Sequence, residues 1–326
     1  MSIRTLLRIL LCHIPTGVIV AAMVVVVAAQ VIRDRNFVLA MLFYVPVWPV
    51  AAVAVLWDLL RLGRALPLRW LLLCLGIGLG IISVGMLWSP ARVPSAGESR
   101  PAITVLQWNV QWGGRYMQRS LDAIVGEIQR HDPQIILLSE APPQQWLMYT
   151  WNLNQPGWRY AVHEFKPGGE YWFRMTVLSR WPVRQTDYWR LPTGRAALFE
   201  VATPYKPIVV LMVDLESAPW LRREPSLLAI AQIVDQLIAD GIRVDLIAGD
   251  FNAPARSLGF DAILRSGIGF DRAAMWSGQW RATWPSQFPM WDIDHVLIRR
   301  GIGVNSAGFF ANPATDHRGQ VVKILP

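Results

Sequence analysis

The chain is 326 residues long, 53% hydrophobic and 17% charged, with a formal net charge of +8; it exceeds a single ordinary domain, and its composition changes along its length. The first 90 residues hold seven Arg against Asp34 and Asp58, so +5 of the charge belongs to them and only +3 to the rest, too little to identify a polyanion partner. The two cysteines, Cys12 and Cys74, both fall in apolar stretches and leave the later chain without a thiolate metal site.

Residues about 10–32, 37–60 and 70–88 are almost wholly apolar, each long enough as a helix to cross a hydrocarbon core of about 30 Å. They predict three transmembrane helices, which Pro15, Pro46 and Pro49 can kink without excluding. A cleaved leader would account for the first stretch but not for the other two. Arg4, Arg8, Arg61, Arg64 and Arg69 flank one side, and Arg33, Arg35, Arg92 and Arg100 the other, five against four. By the positive-inside rule the amino terminus is cytoplasmic and everything after the third span is exported. The expected organisation is a three-span membrane region over 1–90, a Pro/Ser/Gly-containing linker over 91–102, and an α/β domain over 103–326.

Within that domain the strand ITVLQWN precedes a helix over about 117–130, where Leu121, Ile124, Val125 and Ile128 recur at helical spacing, and then the strand IILLSE. The runs MTVLSR and ALFEVAT suit adjacent strands. A second strand–helix–strand unit follows: LMVDLES, a helix carrying Leu227, Leu228, Ile230, Ile233, Val234 and Leu237, and VDLIAGDFN. DIDHVLI and the approach to TDHRGQVV close the series. Asn109, Glu140, Asp250, Asn252, Asp294 and the pair Asp316-His317 all sit where these apolar runs end, a placement that collects polar groups at one rim of a buried sheet. Oxygen donors without cysteine suit a hard cation, Mg2+ or Mn2+, and point to chemistry on phosphate.

Each piece alone has an ordinary reading: a strand-end Glu140 as a surface carboxylate, Gly-Asp-x-Asn as a turn. As chemistry, Asp250 orients or deprotonates a water, the Asn252 amide donates to a phosphate oxygen, and Asp294 holds one nitrogen of His317 and favours its cation. His13, His131 and His163 are read as structural, and His295, facing opposite to Asp294, as packing. Trp276, Trp280, Trp284 and Trp291, with Tyr171 and Trp172, offer rings for bases, sugars or lipid headgroups, although any single one is expected to pack the domain.

Taken in order, QWNVQW, LLSE, TVLSRWPV, VDLES, GDFNAP, TWP with DIDHVLI, and TDHRGQVV resemble the endonuclease/exonuclease/phosphatase superfamily with its DNase-I-like fold, over nearly all of residues 103–326. The preceding apolar helices resemble membrane-anchored bacterial members. The resemblance implies a four-layer α/β/β/α sandwich of two mixed sheets with its site at one end. It makes Glu140 the principal ligand of Mg2+ or Mn2+, with Asn109 nearby on phosphate or metal and Asp316 completing the metal region. Asp250 positions the attacking water, Asn252 holds the phosphate, and His317 with Asp294 stabilises the pentacoordinate phosphorus. Gln111 stands where some members place a carboxylate, and Asp214 where many have a histidine; an ionised Asp214 beside phosphate repels it.

The expected function is hydrolysis of a phosphodiester, in nucleic acid or in a lipid or envelope phosphoester, by an integral protein of the inner membrane with its catalytic domain on the extracytoplasmic side. No stable protein partner is implied. The competing expectation is a weakened or inactive membrane protein that keeps the fold for binding.

Overall fold

The computed structural model describes residues 3–60, 70–94, 101–114, 118–142, 160–163 and 175–326. The chain divides into two units, Met1–Trp88 and Ser89–Pro326.

The first unit is helical: α1 (Ile3–Ile32), α2 (Phe37–Phe43), α3 (Val47–Leu60) and α4 (Leu71–Leu87). The expectation of three transmembrane helices needs correction. Among the described residues one helix, with its apolar stretch at His13–Ile32, is long and apolar enough to cross a membrane by itself. The stretch expected as one helix over 37–60 is instead α2 and α3, bent by 60°. Pro46 explains the break, because it lacks an N–H and pushes Val45 out of the helical region. The third, α4, has 17 residues, about 25 Å at 1.5 Å per residue. Arg61, Arg64, Arg69 and Arg100 lie outside the described residues. The helices meet over Met23, Ala54 and Leu72. Buried Asp58 is satisfied by Leu73 N–H (3.0 Å), and the Trp57 indole donates to Thr16 Oγ1 (3.1 Å).

The second unit is built on two six-stranded sheets. The strands are β1 (Ile103–Asn109), β2 (Ile135–Ser139), β3 (Tyr160–His163), β4 (Met175–Ser179), β5 (Val183–Leu191), β6 (Gly194–Val201), β7 (Ile208–Leu215), β8 (Leu246–Asp250), β9 (Phe270–Arg272), β10 (Asp294–Arg299), β11 (Gly303–Phe310) and β12 (Gly319–Leu325). Among the described residues three α-helices intervene: α5 (Gln118–His131), α6 (Glu224–Ala239) and α7 (Leu258–Ile263). One sheet runs β11-β12-β1-β2-β4-β3 and the other β5-β6-β7-β8-β10-β9. Each contains a parallel pair, β1 with β2 and β7 with β8, and is otherwise antiparallel. The parallel pairs are the two strand–helix–strand units anticipated from sequence, since parallel neighbours need a crossover.

Period-two alternation makes the layers. Val105, Leu137, Val177, Val210, Ala248 and Val296 point between the sheets into one core. Leu106, Trp108, Ile136 and Leu138 face outward onto Ile124 and Ile128 of α5. Leu211, Val213 and Ile247 face Leu227, Ile230 and Val234 of α6. The product is helix, sheet, sheet, helix. Arg92, expected in the linker, belongs to this unit: its N–H donates to Met275 O (2.8 Å), its guanidinium pairs with Asp271 (3.3 Å), and it lies over the Trp276 ring.

Candidate active site

The alternation that buries the core also places polar groups at its edge. On β7, β8 and β10, Met212, Ala248 and Val296 point into the inter-sheet core, and two residues along on the same face come Asp214, Asp250 and Asp294. Register sets Asp250 beside Asp214 on one side and Asp294 on the other, with neighbouring strands about 4.8 Å apart. All three are nearly fully buried. From the opposite sheet, Asn109 at the end of β1 donates through Nδ2 to Asp250 Oδ2 (2.9 Å) and accepts Gln111 N–H on Oδ1 (3.0 Å). This amide crosses the gap between the sheets.

His317 lies just before β12, its Nδ1 2.8 Å from Asp294 Oδ2. Burial opposes a charged imidazole, yet the charge and hydrogen bond of Asp294, with Asp250 and Asp316 nearby, outweigh it and push His317 up to about 10. Nδ1–H therefore donates to Asp294, and the ring is a cation. Burial first, then the Asp294 charge, push the Asp250 carboxyl up to about 7, against His317, the Asn252 N–H and the Asn109 amide, which pull it down. A carboxylate poised near neutrality beside an imidazolium can take and hold a proton.

The loops carrying these groups are tightly set. Gly249 adopts φ 144°, and a Cβ there would lie 1.9 Å from Val213 O, so only glycine lets β8 approach β7 this closely one residue before Asp250. Gln111, Trp112, Glu140 and Asn252 all have φ between 45° and 57°, left-handed backbone that costs non-glycine residues about 1–3 kcal/mol each. The turns after β1 and β2 are tied together, Trp112 N–H donating to Glu140 O (2.7 Å) and Val110 N–H to Ser139 O (3.0 Å). This strain is held at the rim of the sandwich, where the polar residues gather.

The structure thus gathers Asn109, Asp214, Asp250, Asp294 and His317. Asn252 follows, its N–H on Asp250 Oδ1 (2.9 Å) and its Nδ2 on Leu215 O (2.8 Å), so its amide ties the β8 loop to β7. Asp316 is partly exposed, with Oδ1 3.9 Å from His317 Nε2. Glu140, also partly exposed, follows β2. His295 points away, between Phe251 and Phe260, and burial brings it down to about 4. Tyr171 and Trp172 lie outside the described residues.

Several supporting residues, Trp276, Trp280 and Trp284 apart, had no role expected from the sequence. Thr283 Oγ1 accepts the N–H groups of Ile293 (3.2 Å) and Asp294 (3.1 Å). Trp284 Nε1 donates to Asp316 Oδ2 (3.1 Å), and its ring packs against Trp291. Gln320 Nε2 donates to Asp294 O (2.7 Å), while Trp108 Nε1 and Thr315 Oγ1 donate to His317 O (3.0 and 2.9 Å). Thr283 and Trp284 stand in the TWP motif, Trp108 in QWNVQW, and Thr315 and Gln320 in TDHRGQVV, but the motifs do not show which main-chain groups they hold. Trp280 donates to Pro289 O (2.9 Å), and Trp276 packs on the inter-sheet core.

The site suits a divalent cation chemically. One atom each from Asp250, Asp294 and His317 lies within 4.8 Å of the others. Asp316 Oδ1 is buried without a hydrogen-bond partner. With the neighbouring Asp250 carboxylate it offers hard oxygen, the kind of donor that Mg2+ or Mn2+ takes. Glu140, Asn109 and Asp316, the residues expected to hold the metal, are not in that close trio.

Solved structures of known proteins share this architecture. The human Nocturnin catalytic domain with bound sulfate aligns over 72% of this chain and 99% of its own, at 19% identity and a TM-score of 0.53. A mannosyl-6-phosphatase from Bacteroides thetaiotaomicron aligns over 69% and 100%, at 14% and 0.55. D. rerio TDP2 complexed with single-strand DNA product aligns over 70% and 99%, at 14% and 0.52. At such identities the likeness is one of fold. Comparison with curated protein sequences returns no match. A family model, however, matches residues 106–317, the stretch from β1 to His317 that contains every residue of the rim described above. The chain belongs to the endonuclease/exonuclease/phosphatase family and is, with it, a hydrolase of phosphoester bonds.

Proposed function

We propose that this chain is a membrane-anchored, divalent-metal-dependent phosphodiesterase in which Asp250 prepares the attacking water and the His317–Asp294 pair stabilises the transition state. The observation that carries this reading is the 2.8 Å contact between His317 Nδ1 and Asp294 Oδ2 beside buried Asp250. Glu140, Asn109 and Asp316 would hold Mg2+ or Mn2+, which when bound supplies positive charge to the phosphoryl oxygens. Asp250 orients water for in-line attack on phosphorus and accepts its proton. The His317 cation, held by Asp294, donates through Nε2 to a phosphoryl oxygen as negative charge builds there. Asn109 keeps Asp250 in place, and Asn252 ties the turn that follows Asp250 to β7. Asp214 can serve the leaving oxygen only as a neutral acid.

The substrate proposed is a phosphodiester of nucleic acid or of a lipid or envelope component. The mannosyl-6-phosphatase and DNA-bound TDP2 illustrate the range of phosphoesters this fold serves. Membrane anchoring rests on the first unit, whose helices carry exposed Val18, Val24, Val31 and Ile81, apolar surface that water disfavours and lipid accepts. The Arg distribution supports the further reading that the protein lies in the inner membrane with its hydrolase domain on the extracytoplasmic side, a topology that would favour an envelope phosphoester over chromosomal DNA. A fold kept for binding alone has only Asp214 in its favour.

The test is hydrolysis of bis-p-nitrophenyl phosphate by the detergent-solubilised full-length protein with Mg2+ or Mn2+, alongside Asp250→Ala. Turnover that disappears in the variant is expected; no turnover with either metal overturns the reading. Panels of single-stranded DNA, double-stranded DNA and phospholipids, with a His317→Ala control, then choose the substrate.

A further inference from the structure

Beneath the rim the inter-sheet core contains an amide that packing alone does not explain. Gln107 follows Ile103 and Val105 on the inward face of β1 and is fully buried. Neither its Oε1 nor its Nε2 has a hydrogen-bond partner. The Ser139 hydroxyl, at the end of β2 and equally buried, has none either. A buried amide left unmet costs stability that a Leu or Met of similar size would not, so such groups are kept where water or a function meets them.

Register fixes where they lie. Gln107 is the cross-strand partner of Gln320, and Gln320 Nε2 donates to Asp294 O (2.7 Å). Asn109, two residues further on the same face of β1, reaches Asp250 and is the cross-strand partner of Ser139. Gln107 therefore sits one inward step, about 7 Å, below the amide that touches Asp250, and beside the residue that holds Asp294. The second sheet contributes small Ala248 of β8 to the same inter-sheet core.

Asp294 is restrained at three points: its N–H by Thr283 Oγ1, its O by Gln320 and its Oδ2 by His317. Oδ1 has no hydrogen-bond partner, so rotation of the carboxylate is checked only by the imidazole it is meant to position.

We propose that Gln107 and Ser139 hold ordered water below the site that donates to Asp294 Oδ1, making Gln107 a positioning residue for the His317–Asp294 pair. This rests on the hydrolytic reading above. Gln107 Nε2 donates to the water, the water donates to Asp294, and Ser139 supplies a further donor and acceptor. Carboxylates that orient a histidine are themselves commonly oriented, and loss of such support lowers activity about 10- to 100-fold.

The test compares the full-length protein with Gln107→Leu, Ser139→Ala and the double variant, using bis-p-nitrophenyl phosphate and Mg2+ or Mn2+. Expected for Gln107→Leu is a kcat lowered about tenfold or more with KM unchanged and a thermal midpoint kept or raised. Ser139→Ala should add little on top of it, because both residues serve the same water. A kcat within about twofold of wild type overturns the proposal, as does a lowered thermal midpoint, which would make the amide structural. Wild-type protein without turnover would instead remove the hydrolytic reading. A readout independent of turnover is crystallographic density beside Gln107 Nε2 and Asp294 Oδ1: ordered water is expected, and direct apolar packing there overturns the inference.

Discussion

At the scale of single residues the chemistry turns on two shifted protons. Asp250, pushed up to about 7, must be ionised to accept a proton, so turnover is expected to climb as pH rises through that region. His317, pushed up to about 10, must be charged, so turnover falls as pH rises past it. A bound cation stabilises the Asp250 carboxylate and moves the lower limb to lower pH; a pH–rate profile checks both signs. In metal-free protein, NMR titration of His317 should give a midpoint above that of an ordinary imidazole, falling in Asp294→Asn and, less, in Asp250→Asn, because the charge and hydrogen bond of Asp294 raise it more than the charge of Asp250 does. His317→Ala should lower kcat about a hundred- to ten-thousandfold. Asn109, Glu140, Asp250, Asn252, Asp294, Asp316 and His317 were visible in the sequence because each stands at or beside one end of an apolar run. Thr283 and Gln320 were not, because what they hold is main chain that is distant in sequence or on another strand.

Individual elements are expected to separate stability from activity. Glu140 pays for a left-handed backbone at φ 47°, so Glu140→Gly should hold or raise stability by about 1 kcal/mol while abolishing metal-dependent turnover, measured by thermal unfolding beside the hydrolysis assay. Gly249→Ala should do the reverse of a neutral change: with its Cβ 1.9 Å from Val213 O, it costs on the order of 3 kcal/mol or more and displaces Asp250 as well. Leu137→Ala, in the inter-sheet core away from the rim, should cost about 2–5 kcal/mol with kcat unchanged in the fraction that stays folded. The strands that were legible are β1, β2, β4, β6, β7, β8 and β10, whose apolar runs announce them, although β4 and β6, expected as neighbours, lie in different sheets. β5 and β11 were not, since they are edge strands of mixed polarity whose pairing, not composition, makes them strands.

For the whole molecule, the proposed anchor predicts that the protein stays in the membrane fraction after alkaline carbonate extraction and that a reporter fused after residue 326 is active outside the cytoplasm. A reporter active only inside would reverse the topology and with it the preference for an envelope substrate. The apolar region was legible as three long runs, but not as the helices it forms: Pro46 divides the second into α2 and α3, and α4 is 17 residues long. Hydropathy records which residues avoid water, whereas a break depends on a single missing N–H.

The sequence by itself determined the order of buried strands and helices, the two crossover units and the strand-end residues of the site, because hydrophobic periodicity and chain order are local properties written along the chain. Only the tertiary structure decided that Asp214, Asp250 and Asp294 stand side by side, that Asn109 reaches Asp250 from the other sheet, and that Gln107 lies beneath them. Those facts depend on strand register and on the stacking of one sheet over the other, and both are set by contacts between residues far apart in the chain.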